Sequence, residues 1–386
     1  MAPNRHRVLN PALQTLVLIG LCLIAIPVEA ASLRVGVFDV DASPPVGSPL
    51  AYDPTIGIQT PLSCRGVVIA GSEQPIVLCA VDWIGISNGG HRVFRETIAA
   101  AVGTTPERVA VHTLHQHDAP RCDFDAEDLL EAQGLSGTGF DPAFARDVVQ
   151  RAARAAKTAL EDAETVTHCG LGSGTVKDVA SNRRLLGPDG LVLHTRWTAT
   201  RDPKVRDLPV GTIDSQLKMV TFWNGEKAIA ALTWYACHPQ SYYRTGMANP
   251  DFPGLARNAR QEATGIPHIH FNGAGGNIGA GKWNDGAKEN RQVLADKVAA
   301  GMLAAWQNTK KSPVSVSDVR WSTVPARLPV GEHLVESDLK AIVENKTENA
   351  DTRYYAAKHL VWLRRYIAGD TIDIACLSVG KARVLH

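Results

Sequence analysis

The sequence lacks any Cys-x-x-Cys pair. Its 7 cysteines are scattered over 386 residues, which leaves no paired-thiolate zinc or redox signature. Charge of one sign is missing as well. The chain has 40 Lys and Arg against 39 Asp and Glu, a formal net charge of +1, and that balance excludes the electrostatic footprint of a nucleic-acid-binding protein. Aromatic residues make up 6 %, and polar loops flank the motifs described below, so no apolar tunnel or rim for long acyl chains stands out. Beyond residue 30 no apolar run reaches the ~20 residues that a membrane-spanning helix needs. Neither an internal repeat nor a low-complexity tract is visible.

What is present begins at the N-terminus. "NRHR" (Asn4 to Arg7) is basic, "LQTLVLIGLCLIAIP" (Leu13 to Pro27) is apolar, and "VEA" before Ala31 places small residues at −3 and −1 of a cleavage site. This pattern predicts a secretory signal peptide over residues 1–30 and a secreted or periplasmic protein. Cleavage removes Arg5 and Arg7 and takes the net charge from +1 to −1. Cys64, Cys79, Cys122, Cys169, Cys237 and Cys376 survive it. They are read as small buried hydrophobes, although an oxidising compartment permits one or two bridges.

Strand-like runs such as "LRVGVFDV", "PIVLCAV", "RVAVHTLH", "KAIAALTWYACH", "PHIHFN" and "TIDIACLSV" alternate with amphipathic stretches such as "DPAFARDVVQRAARAAKTALEDA" and "KENRQVLADKVAAGMLAAWQN". In the first of these stretches Phe144, Val148, Val149, Ala152, Ala155 and Ala156 form a stripe of helical period. The alternation predicts an α/β fold, a mixed β-sheet layered with helices, because "KMVTFWNGEKAIAAL" is a strand–Asn-Gly–strand hairpin.

"FNGAGGNIGAGKWND" (residues 271–285) follows a strand and places Gly276, Gly281 and Lys282 as in a phosphate-binding G-x-x-x-x-G-K-[ST] loop. Trp283 stands where the Ser or Thr hydroxyl would hold Mg²⁺, so the nucleotide reading fails. Stronger chemistry lies in "VHTLHQHDAP" (111–120), where three histidines fall within six residues. His115 and His117 are two apart, so in extended chain both imidazoles project to one side. With Asp118 beside them they suit a divalent ion, zinc above all. His112 has the opposite parity and is read as structural. A second strand end, "WYACHPQSYYRTG", delivers His238, followed in the loop by Tyr242, Tyr243 and Arg244. His268 and His270 form another H-x-H pair, which invites an amidohydrolase-type metal barrel. That barrel carries its H-x-H on the first strand, so here the pair is read as core or supporting residues.

Together these segments resemble the N-terminal catalytic domain of the neutral (non-lysosomal, alkaline) ceramidase family, in family order and over nearly all of residues 31–386. "VGVFDVDASPPVG" looks like its G-x-x-x-x-D-I-T-P-P opening, "LHQHDAP" like its T-H-T-H-S-G-P, "WYACHPQSYY" with "NPDFPGLA" like its W-F-x-x-H-P-x-S-M and S-D-N-x-G-Y-A, and "FNGAGGNIGAG" like its glycine turn. "SNRR" corresponds to its N-R-S segment. The resemblance implies a zinc-dependent hydrolase of an amide, ester or related bond in a small or lipid-like substrate. His115 and His238 fall on its zinc ligands, and His117, Arg183 and Asn277 on positions at the reaction site. Tyr242, Arg244, Asn272, Gly279 and Lys282 become candidate substrate contacts, with Asn284 and Asp285 beside them. Gly279 takes the place of the serine needed for amide cleavage, which leaves a catalytically inactive ligand-binding relative as the alternative. The family draws further ligands, a Glu in P-G-E and a Tyr, from beyond a strand like "IDIACLSVGKARVLH". A chain stopping at His386 is therefore expected to be incomplete at its C-terminus and to hold metal weakly, unless Asp118, Asp82 or Asp39 supplies the third ligand. The strands leading to His115, His238 and Asn272 are expected side by side in one sheet, opening on a common cleft.

Overall fold

Ser63–Ala70 and Ile76–Val81 are buried along their whole length, as apolar runs without alternation require when both faces of a sheet are covered. In the computed structural model, which describes Met1 and residues 32–71 and 73–386, these two strands sit at the centre of a five-stranded sheet. Its order is Val109–Thr113, Ile76–Val81, Ser63–Ala70, Arg34–Asp41 and Glu164–Thr165, and only the first pair is parallel. The signal peptide expected over residues 1–30 lies, Met1 apart, outside the described residues.

A second five-stranded sheet runs His268–Asn272, Lys227–Tyr235, Gln216–Asn224, His168–Thr175 and Lys310–Pro313, again with one parallel pair at the first edge. The two sheets share one topology. In each, a central hairpin leads through a helix (Asn88–Val102, Asp251–Thr264) to the parallel edge strand. A longer helix (Pro142–Glu161, Asn290–Gln307) then leads to the opposite edge. The expectation of no internal repeat is thus corrected at the level of the fold. What recurs is the order of elements and their burial, which many different residues satisfy.

The sheets pack face to face. Val35, Val67, Ile69 and Leu78 of the first meet Val220, Phe222, Leu232 and Ile269 of the second in one core, which also takes in Leu377 and Val379 of a smaller sheet, Val319–Ala326, Ile372–Val379 and Ala382–Leu385. Helices cover the outer faces through two further cores. The layers are helix, sheet, sheet, helix. The strands leading to His238 and Asn272 are indeed neighbours, but the one leading to His115 lies in the other sheet, so the one-sheet expectation is corrected.

The interior strand His168–Thr175, "HCGLGSGT", escapes a reading by β-propensity because three of its residues are glycine. Those glycines let a helix backbone rest on the sheet. A Cβ at Gly172 would lie 2.1 Å from the Ala305 carbonyl oxygen, and one at Gly174 2.2 Å from that of Gly301. Gly36, in the matching strand of the first sheet, seats Pro142–Glu161 in the same way. Gly174→Ala should therefore destabilise the protein by about 1–3 kcal/mol through overpacking, although alanine is the better strand former. A urea midpoint equal to or above that of the parent protein would refute this.

Candidate metal centre

Val109–Thr113 ends before His115, and the chain then leaves the sheet. The Leu114 amide donates to the Val81 carbonyl at 2.8 Å and the His115 amide to that of Trp83 at 3.0 Å. His115 takes φ +67, a left-handed conformation that is strained for a residue with a Cβ. His115 and His117 therefore converge through a kink rather than through strand alternation. His238 arrives from the other sheet, three residues past Tyr235, its amide donating to the Ile278 carbonyl at 2.8 Å. The glycine turn makes this approach possible, because a Cβ on Gly275 would sit 3.0 Å from the Cys237 carbonyl carbon and 3.1 Å from the His238 nitrogen.

One ligand nitrogen from each of His115, His117 and His238 lies within 4.8 Å of the other two. His117 Nε2 and His238 Nε2 are 2.9 Å apart, a separation at which two neutral imidazoles need either a shared proton or a shared cation. His115 Nδ1 lies 2.5 Å from the Ile84 carbonyl oxygen. That contact makes Nδ1 the protonated nitrogen and leaves Nε2 its lone pair. Tyr52 Oη (2.9 Å) and Gln240 Nε2 (3.2 Å) meet His117 Nδ1, and Thr198 Oγ1 donates to Gln240 Oε1 at 2.6 Å. Burial, reinforced by His115 and Arg183, pushes His238 down to about 3, and burial with the neighbouring His238, His115 and Arg183 does the same to His117. Burial lowers His115 too. Three neutral imidazoles at ordinary pH are a donor set that fits a divalent ion. The third ligand, sought from the sequence among carboxylate oxygens, could instead come from a His117 nitrogen.

The carboxylates are engaged elsewhere. Asp118, expected as a ligand, accepts from Thr245 N (3.2 Å), Thr245 Oγ1 (3.0 Å) and Arg291 Nη2 (3.2 Å) and stands outside the histidine group. Asp82 is paired with Arg257 and Asp39 with Arg65. Arg183 lies close enough to depress all three histidines and rests over the Trp197 ring at 5.3 Å. Gly279 pairs with Ser181, and a Cβ there would face Thr198 Cγ2 at 3.0 Å and Arg183 Cγ at 3.5 Å. Asn277 has its side-chain amide engaged with Arg184 Nε (2.7 Å) and Asn182 Oδ1 (2.9 Å). Lys282 Nζ donates to the Asp207 (3.0 Å) and Leu208 (2.8 Å) carbonyls and so fastens a loop. Asn284 is fully buried and ties Thr198 to Ser241. Tyr242 lies under the Arg291 guanidinium at 3.7 Å, and its neighbour Tyr243 takes the place beside His117, ring centroids 5.5 Å apart. Arg244 lies over Tyr52 at 4.9 Å. Tyr52, Gln240 and Thr198 were not legible as site residues. "AYDP" resembles any turn, and only the fold carries it across to His117.

Removing a hydrogen-bond partner of a metal-ligating histidine costs about 10–100-fold in metal affinity. Tyr52→Phe should weaken metal binding by that factor in chelator competition, with the fold's urea midpoint unchanged in metal-free protein. An unchanged affinity would assign Tyr52 to packing alone.

His268 and His270 stand apart from the group, fully buried in the second sheet, with His270 Nδ1 2.8 Å from Thr233 Oγ1. Burial first, and then Arg260 and Arg257 respectively, lower them to about 4 and about 3. The unfolded chain protonates them below about 6.5, whereas the folded chain does so only near those lower values. The unfolded state thus binds more protons in between, and stability must fall as pH drops through this window. The penalty is absent above about pH 6.5 and complete below the folded values. Urea midpoints should fall from pH 7 to pH 4, and fall less steeply in His270→Gln. Parallel profiles would refute the assignment.

A cavity of about 890 Å³ is lined by Thr113, Asn272, Ala274, Trp234, Lys358 and Trp362 among others, and its lining includes none of His115, His117 and His238. No protein-family model and no curated protein matches the sequence. Among solved structures, the chain is similar to neutral ceramidase from Pseudomonas aeruginosa, at 17 % identity and a TM-score of 0.64 over 92 % of this chain and 62 % of that one. It is also similar to a ceramidase complexed with C2, at 15 % identity and a TM-score of 0.62 over 92 % of this chain and 63 % of that one. The chain shares their fold and spans about three-fifths of their length.

Proposed function

We propose that this chain is a metal-dependent hydrolase whose ion, zinc, is held by His115, His117 and His238, and that it cleaves an amide, ester or related bond in a lipid-like substrate. The observation that carries the reading is the convergence of three neutral imidazoles from two sheets, on a fold shared with ceramidases. Zinc in such a site supplies an electrophile that polarises a carbonyl and acidifies water. The chain's own residues do the rest. Arg183, the cation beside the histidines, offsets negative charge as it develops on the substrate oxygen. Tyr243, exposed at the rim next to His117, is placed to give a proton to the leaving group. Gly279 supplies no hydroxyl, so water is the nucleophile in this reading. Export by a signal peptide would place the activity outside the cytoplasm.

The glycine at that position also favours a second reading, a relative that binds its ligand without turning it over. Zinc-loaded protein, dialysed and then tested on fluorogenic N-acyl amides and esters, separates the two. Equimolar zinc with hydrolysis that is lost in His238→Ala supports the enzyme. Equimolar zinc without hydrolysis of either substrate supports the binding relative, and absence of retained zinc sinks both.

A further inference from the structure

Residues 184–195 fold as an isolated hairpin, Arg184–Leu186 against Val192–Thr195, that belongs to neither large sheet. Two-stranded hairpins survive in water when a face is covered, yet this one carries apolar side chains into solvent. Leu186 is 64 % exposed, Leu191 69 % and Leu193 63 %. Val192 and Trp197 are exposed as well. Single exposed apolar residues need no explanation, but five within 12 residues of one protrusion make a patch. The exposed positions include the cross-strand pair Leu186–Val192 and both neighbours of Val192, so the apolar surface runs round the tip rather than along one side.

The tip is built to hold its shape. Gly187 N donates to the Leu191 carbonyl at 2.8 Å, Gly190 takes φ +78, and Leu191 N donates to Asp189 Oδ1 at 3.0 Å. The base is cationic. Between Ser181 and Val210 there are six Lys and Arg against three Asp, in a chain that is otherwise balanced, and all six but Arg196 are at least partly exposed. Buried Arg196 fastens the 206–210 loop to this base through the Leu208 (2.9 Å) and Pro209 (2.9 Å) carbonyls. Arg183, at the same base, is the cation beside the histidines.

We propose that this hairpin docks the protein on an anionic lipid surface. Leu186, Leu191, Val192 and Leu193 enter the interface between headgroups and acyl chains, and the basic residues at the base meet lipid phosphates. An apolar tip with a cationic collar is the combination that such an interface rewards. A second copy of this chain fits less well, because a flat contact would cover one side of the hairpin and repel like charge at its base. Asp189 limits entry to the headgroup zone. Docking is independent of the metal and of hydrolysis.

The test is co-sedimentation of metal-free protein with vesicles of phosphatidylcholine alone and of phosphatidylcholine with phosphatidylglycerol. Binding is expected to the anionic vesicles, weakening with salt, and to drop about tenfold or more in Leu191→Ser/Leu193→Ser. Blue-shifted Trp197 emission, absent in Trp197→Phe, should accompany it. The melting temperature of the double variant checks that it folds, and should it not, Leu191→Ser alone is expected to weaken binding in the same sense. Equal binding by folded variant and parent, or none by the parent, overturns the proposal. So does a concentration-dependent dimer in sedimentation velocity that the same substitutions abolish, which would assign the patch to self-association.

Discussion

Replacing Arg257 by leucine should destabilise the protein by about 3–5 kcal/mol, the usual loss on breaking a buried ion pair from one side. Arg257 and Asp82 are both wholly buried, their two contacts are 2.7 and 2.9 Å long, and Asp82 accepts further from Ser63 N (2.9 Å) and Ser63 Oγ (2.8 Å). Burial alone would raise the Asp82 carboxyl. Arg257, the largest opposing influence, holds it below its ordinary value. Asp82 follows the strand Ile76–Val81 of the first half, and Arg257 lies in the helix Asp251–Thr264 of the second. The variant therefore leaves a charge stranded where the halves meet. Asp82→Leu in the same protein removes that charge and should recover much of the loss, because a pair replaced by apolar residues can be close to neutral. Urea denaturation of the two single variants and the double variant measures this directly, and a loss under about 1 kcal/mol in Arg257→Leu would mean that water or another cation compensates.

Replacing His238 by alanine should reduce metal affinity by more than the roughly 100-fold that loss of a supporting hydrogen bond can cause. In the proposed site His238 is the ligand that the second sheet would contribute. Without it His115 and His117 remain, two residues apart on one loop, and two histidines rarely hold zinc where catalytic sites use three protein ligands. Saturating zinc at about 100 times its dissociation constant stabilises a folded protein by about 2.7 kcal/mol. The parent should show that gain as a rise in melting temperature, and His238→Ala should show none. Asp118→Asn, which alters the Thr245 and Arg291 contacts, should keep the zinc-induced rise. Metal loss in Asp118→Asn with retention in His238→Ala would restore Asp118 to the ligand set.

The histidines were legible because ligation needs particular side chains at strand ends, and His115 and His117 stand just past one apolar run and His238 just past another. The layered α/β architecture was legible from period alone. Less could be read where the backbone decides. The φ of His115 turns its ring by a kink that strand parity cannot foresee. His168–Thr175 looks like a loop because its glycines serve the helix above it. Asp118 looked like a ligand because it adjoins two histidines, whereas its partners, Thr245 and Arg291, are remote in sequence and near only in the fold. Asp251–Thr264 begins "DFPG", which suggests a turn, yet Pro253 falls in the first helical turn where its missing N–H is harmless.

The doubled architecture also sets a timetable. His117 and His238 are 121 positions apart, and ribosomes add about 5–20 residues per second, so the first two histidines exist about 6–24 s before the third. The first half can complete its sheet and helices in that interval, because its strands and their crossover lie within residues 34–165. Closure of the histidine group must wait until the second sheet has formed and docked. In the proposed site, metal capture would then be among the last events in the birth of the molecule, and the ion would act as a seal on two finished halves rather than as the seed around which either one folds.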